Sequence, residues 1–339
     1  MSGIYVAGLG AVSPAGWGVP ALCRAVAGEP IQFAPVERPG WKEPLRARRA
    51  PPLVPRPACL THPRMRRASP ISQFAVAAAD EALNGTNGPL GIVFCTTCGC
   101  VNYSRRFFDE ALRDASTASP LLFPETVFNA PASHLSAVLK SPVINYTLVG
   151  DSGIFLHGLA LAAGWLEEER VSACVVVAAE EADWLTADAL KHFNRSTPLA
   201  EGAAAVLLRA GQPAADVVTL DAVTSPRSFT SAKSRRVAAQ GVATELAQHD
   251  SKQLLCTSMA GNPRIDGAES AAWRDWPGAR MEVKRTFGEG FAAGAGWQCV
   301  AAIEAARRGN YAAAVVSVVG AYDEAIGARF ALKPSAPST

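Results

Sequence analysis

Two stretches of the chain share the same order, an apolar helix followed by an uninterrupted apolar strand, and this repeat constrains the fold most. In residues 144–181, the pattern predicts a helix from Ser152 to Glu168 that is apolar on nearly all sides, then a strand from Val171 to Ala179. Residues 296–321 repeat this order with an Ala-rich helix and a Val/Ala strand. Such a helix is enclosed by protein, and a strand without polar alternation is typical of a covered parallel sheet. The sequence therefore predicts a layered α/β fold with two related halves.

The boundary between the two halves is predicted near residue 212, because residues 210–215 interrupt a strand that runs from Ala203 to Leu208. This gives an N-terminal half of residues 1–212 and a C-terminal half of residues 213–339. With 339 residues and 49% hydrophobic side chains, the chain has enough apolar surface for two sizeable cores.

The N-terminal half contains one segment of a different character. Residues 36–68 alternate prolines with arginines, which predicts a basic, irregular surface arm. A helix is predicted directly after the arm, from Ser69 to Leu83, with Ser69 as the N-cap and Pro70 at the first helical position.

Charge and hydropathy exclude several classes of partner and place the chain in the cytoplasm. A net charge of +2 creates no field that would favour nucleic acid or a membrane surface. No apolar stretch approaches the roughly 20 residues that span a bilayer. The N-terminus lacks the basic region and the long apolar run of a signal peptide.

The cysteines predict free thiols rather than disulfides or a metal site. Eight cysteines in 339 residues are too few and too scattered for a disulfide scaffold. Cys95, Cys98 and Cys100 are closely spaced, but no second Cys/His cluster completes a tetrahedral metal site. We therefore expect no metal.

Four stretches of the sequence resemble segments of the β-ketoacyl-ACP synthases of the thiolase-fold superfamily. They are VAGLGAVSPAGWG near the N-terminus, SQFAVAAADEAL, VFNAPASHLSAVL at 127–139 and PLAEGAAAVLL at 198–208. They occur in the family's order and extend over most of the chain. The resemblance implies a duplicated five-layer αβαβα fold and no cofactor.

The nucleophile of that family is a cysteine at a helix N-terminus, where the helix dipole lowers the pKa of the thiol. The family motif Thr-Ala-Cys-Ala-Ser-Gly corresponds without a gap to LVGDSG in this sequence, which places Gly150 at the cysteine. Glycine has no nucleophile, and the adjacent Asp151 would disfavour a thiolate even if a cysteine were restored.

Two histidines complete the family's catalytic set, and neither has a counterpart here. The residues that follow the first histidine in the family match Pro263, Asp266 and Glu269. Ser258 then stands at the histidine, or Ala260 if two residues are deleted from the loop. The lysine that precedes the second histidine is retained as Lys284, whereas the histidine itself is Glu289. The glycine-rich C-terminal loop is also changed and reads Gly-Ala-Tyr-Asp at 320–323.

A retained scaffold with a lost catalytic set resembles the chain-length factors of this superfamily. These are inactive subunits that dimerise with an active ketosynthase and shape the tunnel for the growing acyl chain. The resemblance implies a heterodimer in type II polyketide, aryl-polyene or related fatty-acid-like biosynthesis, with an acyl carrier protein as a second partner. Common chain-length factors have glutamine at the cysteine position, so Gly150 argues against a decarboxylating role.

Two further groups of residues are candidates for the tunnel and for carrier-protein docking. The tunnel or interface candidates are Phe107, Phe108, Phe123, Phe128, Asn129 and His134. The docking candidates are Arg46, Arg48, Arg49, Arg66, Arg67, Arg105 and Arg106. Ordinary packing is the alternative for the first group, and a solvated basic face is the alternative for the second.

Two other functions remain open at the level of sequence. An acyltransferase or thioesterase would need a relocated nucleophile such as Cys174 or Ser152, the latter with His134 or His157 as its base. Serine and aspartate at a helix start are also favoured simply as caps. The other alternative is a structural homodimer without an acyl substrate.

Overall fold

The computed structural model describes residues 3–86, 88–139, 142–211, 217–246, 250–309 and 311–333. The strands are β1 (Gly3–Ser13), β2 (Gly16–Trp17), β3 (Ala34–Val36), β4 (Leu45–Arg48), β5 (Leu90–Thr96), β6 (Pro142–Val149), β7 (Ala173–Glu180), β8 (Leu199–Ala200), β9 (Gly202–Gly211), β10 (Val218–Val223), β11 (Arg227–Ser228), β12 (Gln253–Cys256), β13 (Ala279–Met281), β14 (Ala313–Val319) and β15 (Glu324–Leu332). The helices are α1 (Val19–Val26), α2 (Pro70–Leu83), α3 (Val101–Arg113), α4 (Ala130–Leu139), α5 (Ile154–Glu167), α6 (Trp184–Phe193), α7 (Ala232–Leu246), α8 (Pro263–Ala272), α9 (Val283–Phe287) and α10 (Phe291–Arg307). Short 3-10 helices cover Ala58–Thr61, Pro63–Arg66 and Phe123–Glu125. The predicted boundary near residue 212 lies outside the described residues.

One large mixed sheet contains two groups of five strands that follow the same pattern. The strand order is β13-β12-β14-β15-β10-β1-β9-β7-β5-β6, with β11 beside β15 and β2 beside β1. From β1 to β6, two antiparallel pairings are followed by two parallel ones. From β10 to β13, the pairings follow the same sequence. β1 pairs antiparallel with β10, so the predicted duplication is present in the topology.

Two apolar helices, α5 and α10, lie between the two groups of strands. α5 packs on β5 and β7 and also contacts β10 and β15, while α10 packs on β7 and β9 and also on β12 and β14. α2 packs on the opposite face of the first group, α7 packs on the second group, and α8 packs on α7. The result is the duplicated five-layer αβαβα arrangement, which confirms the fold that the resemblance implies.

The strand β7 shows why its sequence lacks polar alternation. All eight of its residues are buried. Val175 and Val177 pack in the cluster that contains α2, whereas Cys174 and Val176 pack in the cluster that contains α5 and α10. The expected parallel pairing holds only toward β5, because β9 pairs with β7 antiparallel. Burial on both faces, rather than strand direction, explains the apolar run.

The predicted irregular arm at residues 36–68 is wrong in part, because it contains a paired strand. β4 pairs antiparallel with β3 and parallel with β8 in a separate three-stranded sheet. Leu45 and Ala47 are buried on one face of β4, while Arg46 is exposed on the other. The alternation of apolar and polar residues in β4 is short, and the many prolines and arginines around it made the segment resemble an irregular loop. The helix predicted after the arm is confirmed as α2, although the Ser69 hydroxyl contacts the Ser72 hydroxyl instead of capping the backbone.

Two glycines of β1 allow this strand to lie directly on the backbone of α2. A Cβ atom added at Gly8 would lie 1.8 Å from the carbonyl oxygen of Ala82, and one added at Gly10 would lie 1.9 Å from that of Ala78. Both distances are far below van der Waals contact, and the opposing atoms belong to a helix backbone. The sheet and its outer helix therefore require glycine at these positions.

Gly10→Ala should destabilise the chain by at least about 2 kcal/mol, because the new methyl group forces β1 away from α2. The same substitution at Gly164 on α5 is the control, since a Cβ atom there meets no neighbour within 4 Å. Gly164→Ala should be neutral or stabilising by up to about 1 kcal/mol, because alanine favours the helix. Urea unfolding of both variants measures the difference, and equal midpoints would contradict the packing argument.

Candidate functional site

A cavity of about 340 Å³ lies beyond the carboxyl ends of β12 and β14. Its wall contains several of the positions at which the resemblance locates catalytic residues, among them Ser258, Lys284 and Glu289. The other lining residues are Leu190, Phe193, Asn194, Phe229, Thr230, Ser231, Ala232, Arg235, Ala260, Arg264, Ile265, Asp266, Glu269, Val319, Ala321 and Tyr322. None of the described residues that line this cavity is a cysteine or a histidine.

Gly150 lies between the end of β6 and the start of α5, where the resemblance expects the nucleophile. Its N–H group donates to the carbonyl oxygen of Thr96 at 3.3 Å. A Cβ atom at this position would lie 3.0 Å from Cδ1 of Ile154, so the adjacent space already holds an apolar side chain. Gly150 is not among the residues that line the cavity.

Asp151, the next residue, is buried and its carboxylate accepts hydrogen bonds from the far end of the chain. The N–H groups of Ala321, Tyr322 and Asp323 donate to it at 3.1, 2.9 and 3.2 Å. The N–H group of Ser152 also donates to it, at 2.7 Å. The loop that replaces the family's glycine-rich segment is thus bound to the start of α5.

Both candidate positions of the first histidine lie at the cavity, and neither offers a base. The Ser258 hydroxyl donates to Glu269 at 2.7 Å and accepts the N–H group of Val319 at 2.9 Å. Ala260 contributes only a methyl group, and its N–H group donates to Asp266. Asp266 also accepts the N–H groups of residues 261 and 262. These hydrogen bonds fix the loop after β12 in place.

Glu289 and Lys284 form a buried ion pair with an Nζ to Oε2 distance of 2.9 Å. Burial alone lowers the pKa of the Lys284 ammonium, but the negative charge of Glu289 and of nearby carboxylates outweighs it, and the net pKa is raised. Lys284 is therefore protonated and cannot act as a base. The same carboxylate accepts the N–H group of Phe291, whose φ of 45° is rare for phenylalanine.

The thiols of the chain are protonated at neutral pH. The pKa of each of the eight cysteines is raised, and burial is the largest cause in every case. Cys174, considered as a relocated nucleophile, has no exposed surface, and its pKa is raised to about 12. All eight cysteines are free.

No described group of three or more His, Cys, Asp or Glu side chains is arranged to hold a metal ion.

Ser152, the other candidate for a relocated nucleophile, is almost completely buried, and its hydroxyl has no hydrogen-bond partner. The two histidines proposed as its base are engaged elsewhere. His157 contacts Glu324 at 2.8 Å, and His134 contacts Glu125 at 2.9 Å. The described site therefore does not assemble the nucleophile–base pair that serine catalysis requires.

The predicted tunnel residues lie together on and after α3, away from the cavity. Phe107 and Phe123 contact each other with ring centroids 5.5 Å apart, and Phe128 packs against Gly99. Phe108, Phe123, Phe128 and Asn129 are exposed, whereas His134 is buried in α4. No residue of α3 is buried, and its Phe108 and Leu112 side chains are exposed.

The seven arginines predicted to dock a carrier protein do not form one unpaired surface. Three form ion pairs within the chain: Arg49 with Glu201, Arg105 with Asp183 and Asp109, and Arg106 with Glu110. Arg48 donates to the carbonyl oxygen of Thr286. Arg46 stacks over Phe33 at 4.2 Å. Arg66 and Arg67 are exposed, and only the backbone of Arg67 has a described contact, with the Tyr103 hydroxyl.

Phe193, Arg235 and Tyr322 are among the cavity residues that the sequence argument missed. Phe193 and Tyr322 stack edge to face with centroids 6.3 Å apart. Arg235 lies over the Phe229 ring at 5.2 Å, and its Nε atom has no partner. The changed loop at 320–323 was a usable signal for Tyr322, whereas nothing in the local sequence indicated Arg235 or Phe193.

The duplicated five-layer architecture, with two enclosed helices and a cavity at the strand ends, is a thiolase-like fold. The sequence profile of the beta-ketoacyl synthase N-terminal domain matches residues 41–260, which is more than half of the chain. The chain therefore belongs to the β-ketoacyl synthase family. No curated protein matches the chain by sequence.

Several solved structures share this fold along nearly their whole length. The ishigamide ketosynthase/chain length factor has a TM-score of 0.84 and 19% identity, and the match covers 98% of this chain and 99% of that one. A beta-ketoacyl synthase from Burkholderia phymatum STM815 has a TM-score of 0.79 and 16% identity, with 98% and 100% covered. A type II PKS acyl-carrier protein in complex with its ketosynthase bound to the hexaketide gives a TM-score of 0.76 and 14% identity, with 98% and 99% covered.

The surroundings of Gly150 predict that a restored cysteine remains unreactive. In Gly150→Cys, the thiol would lie against Ile154, and the negative charge of the adjacent residue Asp151 disfavours a thiolate. Its alkylation by iodoacetamide at pH 7, followed by peptide mass spectrometry, should be several-fold slower than that of free cysteine. Adding Asp151→Asn should increase the rate, because the charge is removed. Alkylation of Gly150→Cys as fast as free cysteine would contradict this account.

Proposed function

We propose that this chain is a catalytically silent ketosynthase-family subunit that pairs with an active ketosynthase and acts like a chain-length factor. The observation that carries the proposal is the ion pair between Glu289 and Lys284 in a cavity whose described lining has no thiol and no imidazole. A carboxylate paired with a protonated lysine supplies neither the thiolate that attacks the thioester in this family nor an imidazole that donates and accepts protons at neutral pH. Gly150 adds no side chain to replace the nucleophile.

The free edge of the large sheet supports a partner subunit. β6 is the last strand in the described order, so one side of its backbone has no strand beside it among the described residues. Tyr146 and Val149 on this strand are exposed. An exposed apolar edge strand is a template for pairing with a second sheet. We infer that β6 joins the corresponding edge of an active ketosynthase.

The aromatic face of α3 extends this contact surface. Phe108 and Leu112 on α3 are 61% and 70% exposed, and Leu121 and Phe123 after the helix are also exposed. Exposed large apolar side chains that are grouped in one region are typical of a protein contact. In the proposed heterodimer these side chains line the acyl tunnel from the silent subunit and limit the product length, without touching the bond being formed.

The second proposed partner is an acyl carrier protein in type II polyketide, aryl-polyene or related fatty-acid-like biosynthesis. Of the basic candidates, Arg66 and Arg67 support this role best, because they are exposed and their guanidinium groups have no described partner.

No helix in the described part of the chain is both long and apolar enough to cross a bilayer.

Co-expression with an active ketosynthase of this family tests the partnership. The wild-type chain should co-purify as a heterodimer and should fix the product length. Leu112→Asp should abolish both effects, because a charge on the proposed interface remains unpaired after burial. Val237→Asp is the matched control, since Val237 on α7 is 66% exposed on a different layer of the fold. If Leu112→Asp forms the heterodimer as well as the control does, the interface is assigned incorrectly.

An assay of the isolated chain tests whether the site is catalytically inactive. Purified alone and incubated with malonyl and acyl thioesters of a carrier protein, it should show no acyl adduct by intact mass and no released carbon dioxide. The active ketosynthase, assayed in parallel, shows that the substrates are competent. An adduct or turnover by the isolated chain would overturn the proposal and would favour an acyltransferase or thioesterase with a relocated nucleophile.

A further inference from the structure

Three successive backbone N–H groups, those of residues 321–323, converge on the single carboxylate of Asp151. The distances are 3.1 Å to Oδ1 from Ala321, and 2.9 and 3.2 Å to Oδ2 from Tyr322 and Asp323. The fourth donor is the N–H group of Ser152, directly before α5. Successive N–H groups that point to one centre form a concave anion-binding site in proteins.

The fit between this loop and the carboxylate is very close. A Cβ atom added at Gly320 would lie 2.0 Å from Oδ2 of Asp151 and 2.4 Å from its Cγ. Any other residue at position 320 would therefore push the carboxylate out. The Asp151 side chain is buried, and both Ala321 and Tyr322 form part of the cavity wall. The loop that binds the Asp151 carboxylate therefore forms part of the cavity wall.

The loop after β12 provides a comparison within the same cavity. There the carboxylate of Asp266 also accepts three successive N–H groups, at residues 260–262. Asp266 belongs to the helix that directly follows its loop, so that contact is local. Asp151 instead reaches its loop from 170 residues away in the sequence and from the other group of strands. Of these two loops, the one at 321–323 is the one whose carboxylate comes from a distant segment of the chain.

We propose that the 321–323 loop is a binding site for a small carboxylate and that Asp151 is its built-in occupant. While Asp151 is bound, the loop cannot offer these N–H groups to the carboxylate of another ligand. The occupied N–H groups are a second reason, besides the missing cysteine and histidine side chains, for the proposed lack of catalytic activity. Its bearing on catalysis rests on the proposed function, whereas the site itself is tested without partner or acyl substrate.

Chemical rescue of Asp151→Ala tests the site directly. Removal of the carboxylate leaves four N–H groups without this acceptor, three of them in the loop, so the thermal unfolding midpoint should fall by several degrees. Sodium acetate or formate, titrated against sodium chloride at equal ionic strength, should return most of this loss in a saturable way. The wild-type chain should show no such difference between acetate and chloride. Ser152→Ala is the matched control, since it lies next to Asp151 and its hydroxyl has no hydrogen-bond partner.

Two outcomes would overturn the assignment. The first is an unfolding midpoint of Asp151→Ala that equals that of the wild type, and the second is a recovery that is the same in acetate and in chloride. If Asp151→Ala does not fold on expression, its refolding yield in acetate is compared with that in chloride, and equal yields count against the site. Amide hydrogen exchange of the wild-type chain is a further test, because residues 321–323 should be protected, and rapid exchange there would contradict the proposal.

Discussion

Buried carboxylates hold the loops at the carboxyl ends of the parallel strands, because each accepts backbone N–H groups that would otherwise lack a partner. Glu180, at the end of β7, accepts the N–H groups of Thr97 and Cys98 in the loop after β5. Glu181 accepts those of Ile71 and Asn102. Burial raises the pKa of Glu180 to about 8 and that of Glu181 to about 7, although these hydrogen bonds act in the opposite direction. The loops around the site are therefore fixed by acids inside the protein rather than by solvent.

The buried helix and strand could be predicted because their sequences are apolar on nearly all sides, which is what burial requires. The helix predicted at 152–168 is α5, from Ile154 to Glu167, and the strand predicted at 171–179 is β7, from Ala173 to Glu180. The strand neighbours could not be predicted in the same way. Residues of β7 meet β5 on one side and β9 on the other, and the choice depends on contacts across the whole half. The arm at 36–68 failed for a related reason, since β4 is a strand only because β3 and β8 pair with it.

At the site, too, residues identified by short local motifs could be predicted, whereas contacts between distant segments could not. The substitutions at Gly150 and Glu289 follow from matching short motifs, and the structure places Glu289 next to the retained Lys284. The partner of Asp151 could not be inferred from the motif, because the loop at 320–323 is reached only through the duplicated topology. The pairing of two of the candidate docking arginines could not be inferred for the same reason. Arg49 and Arg105 read as basic surface in the sequence, yet each meets a buried carboxylate from a distant segment.

The scaffold and the cavity depend on different groups of residues. The core is held by α5, α10 and the strands around them, and the Trp297 indole N–H donates to the carbonyl oxygens of Val12 and Ala203 at 3.0 Å each. None of these contacts uses a side chain that lines the cavity. At the cavity, Glu289 replaces a histidine without leaving a buried charge unpaired, because Lys284 remains opposite it. The core contacts and the strand order up to β6 therefore do not depend on the side chains at the cavity, so those side chains can change while the fold is kept.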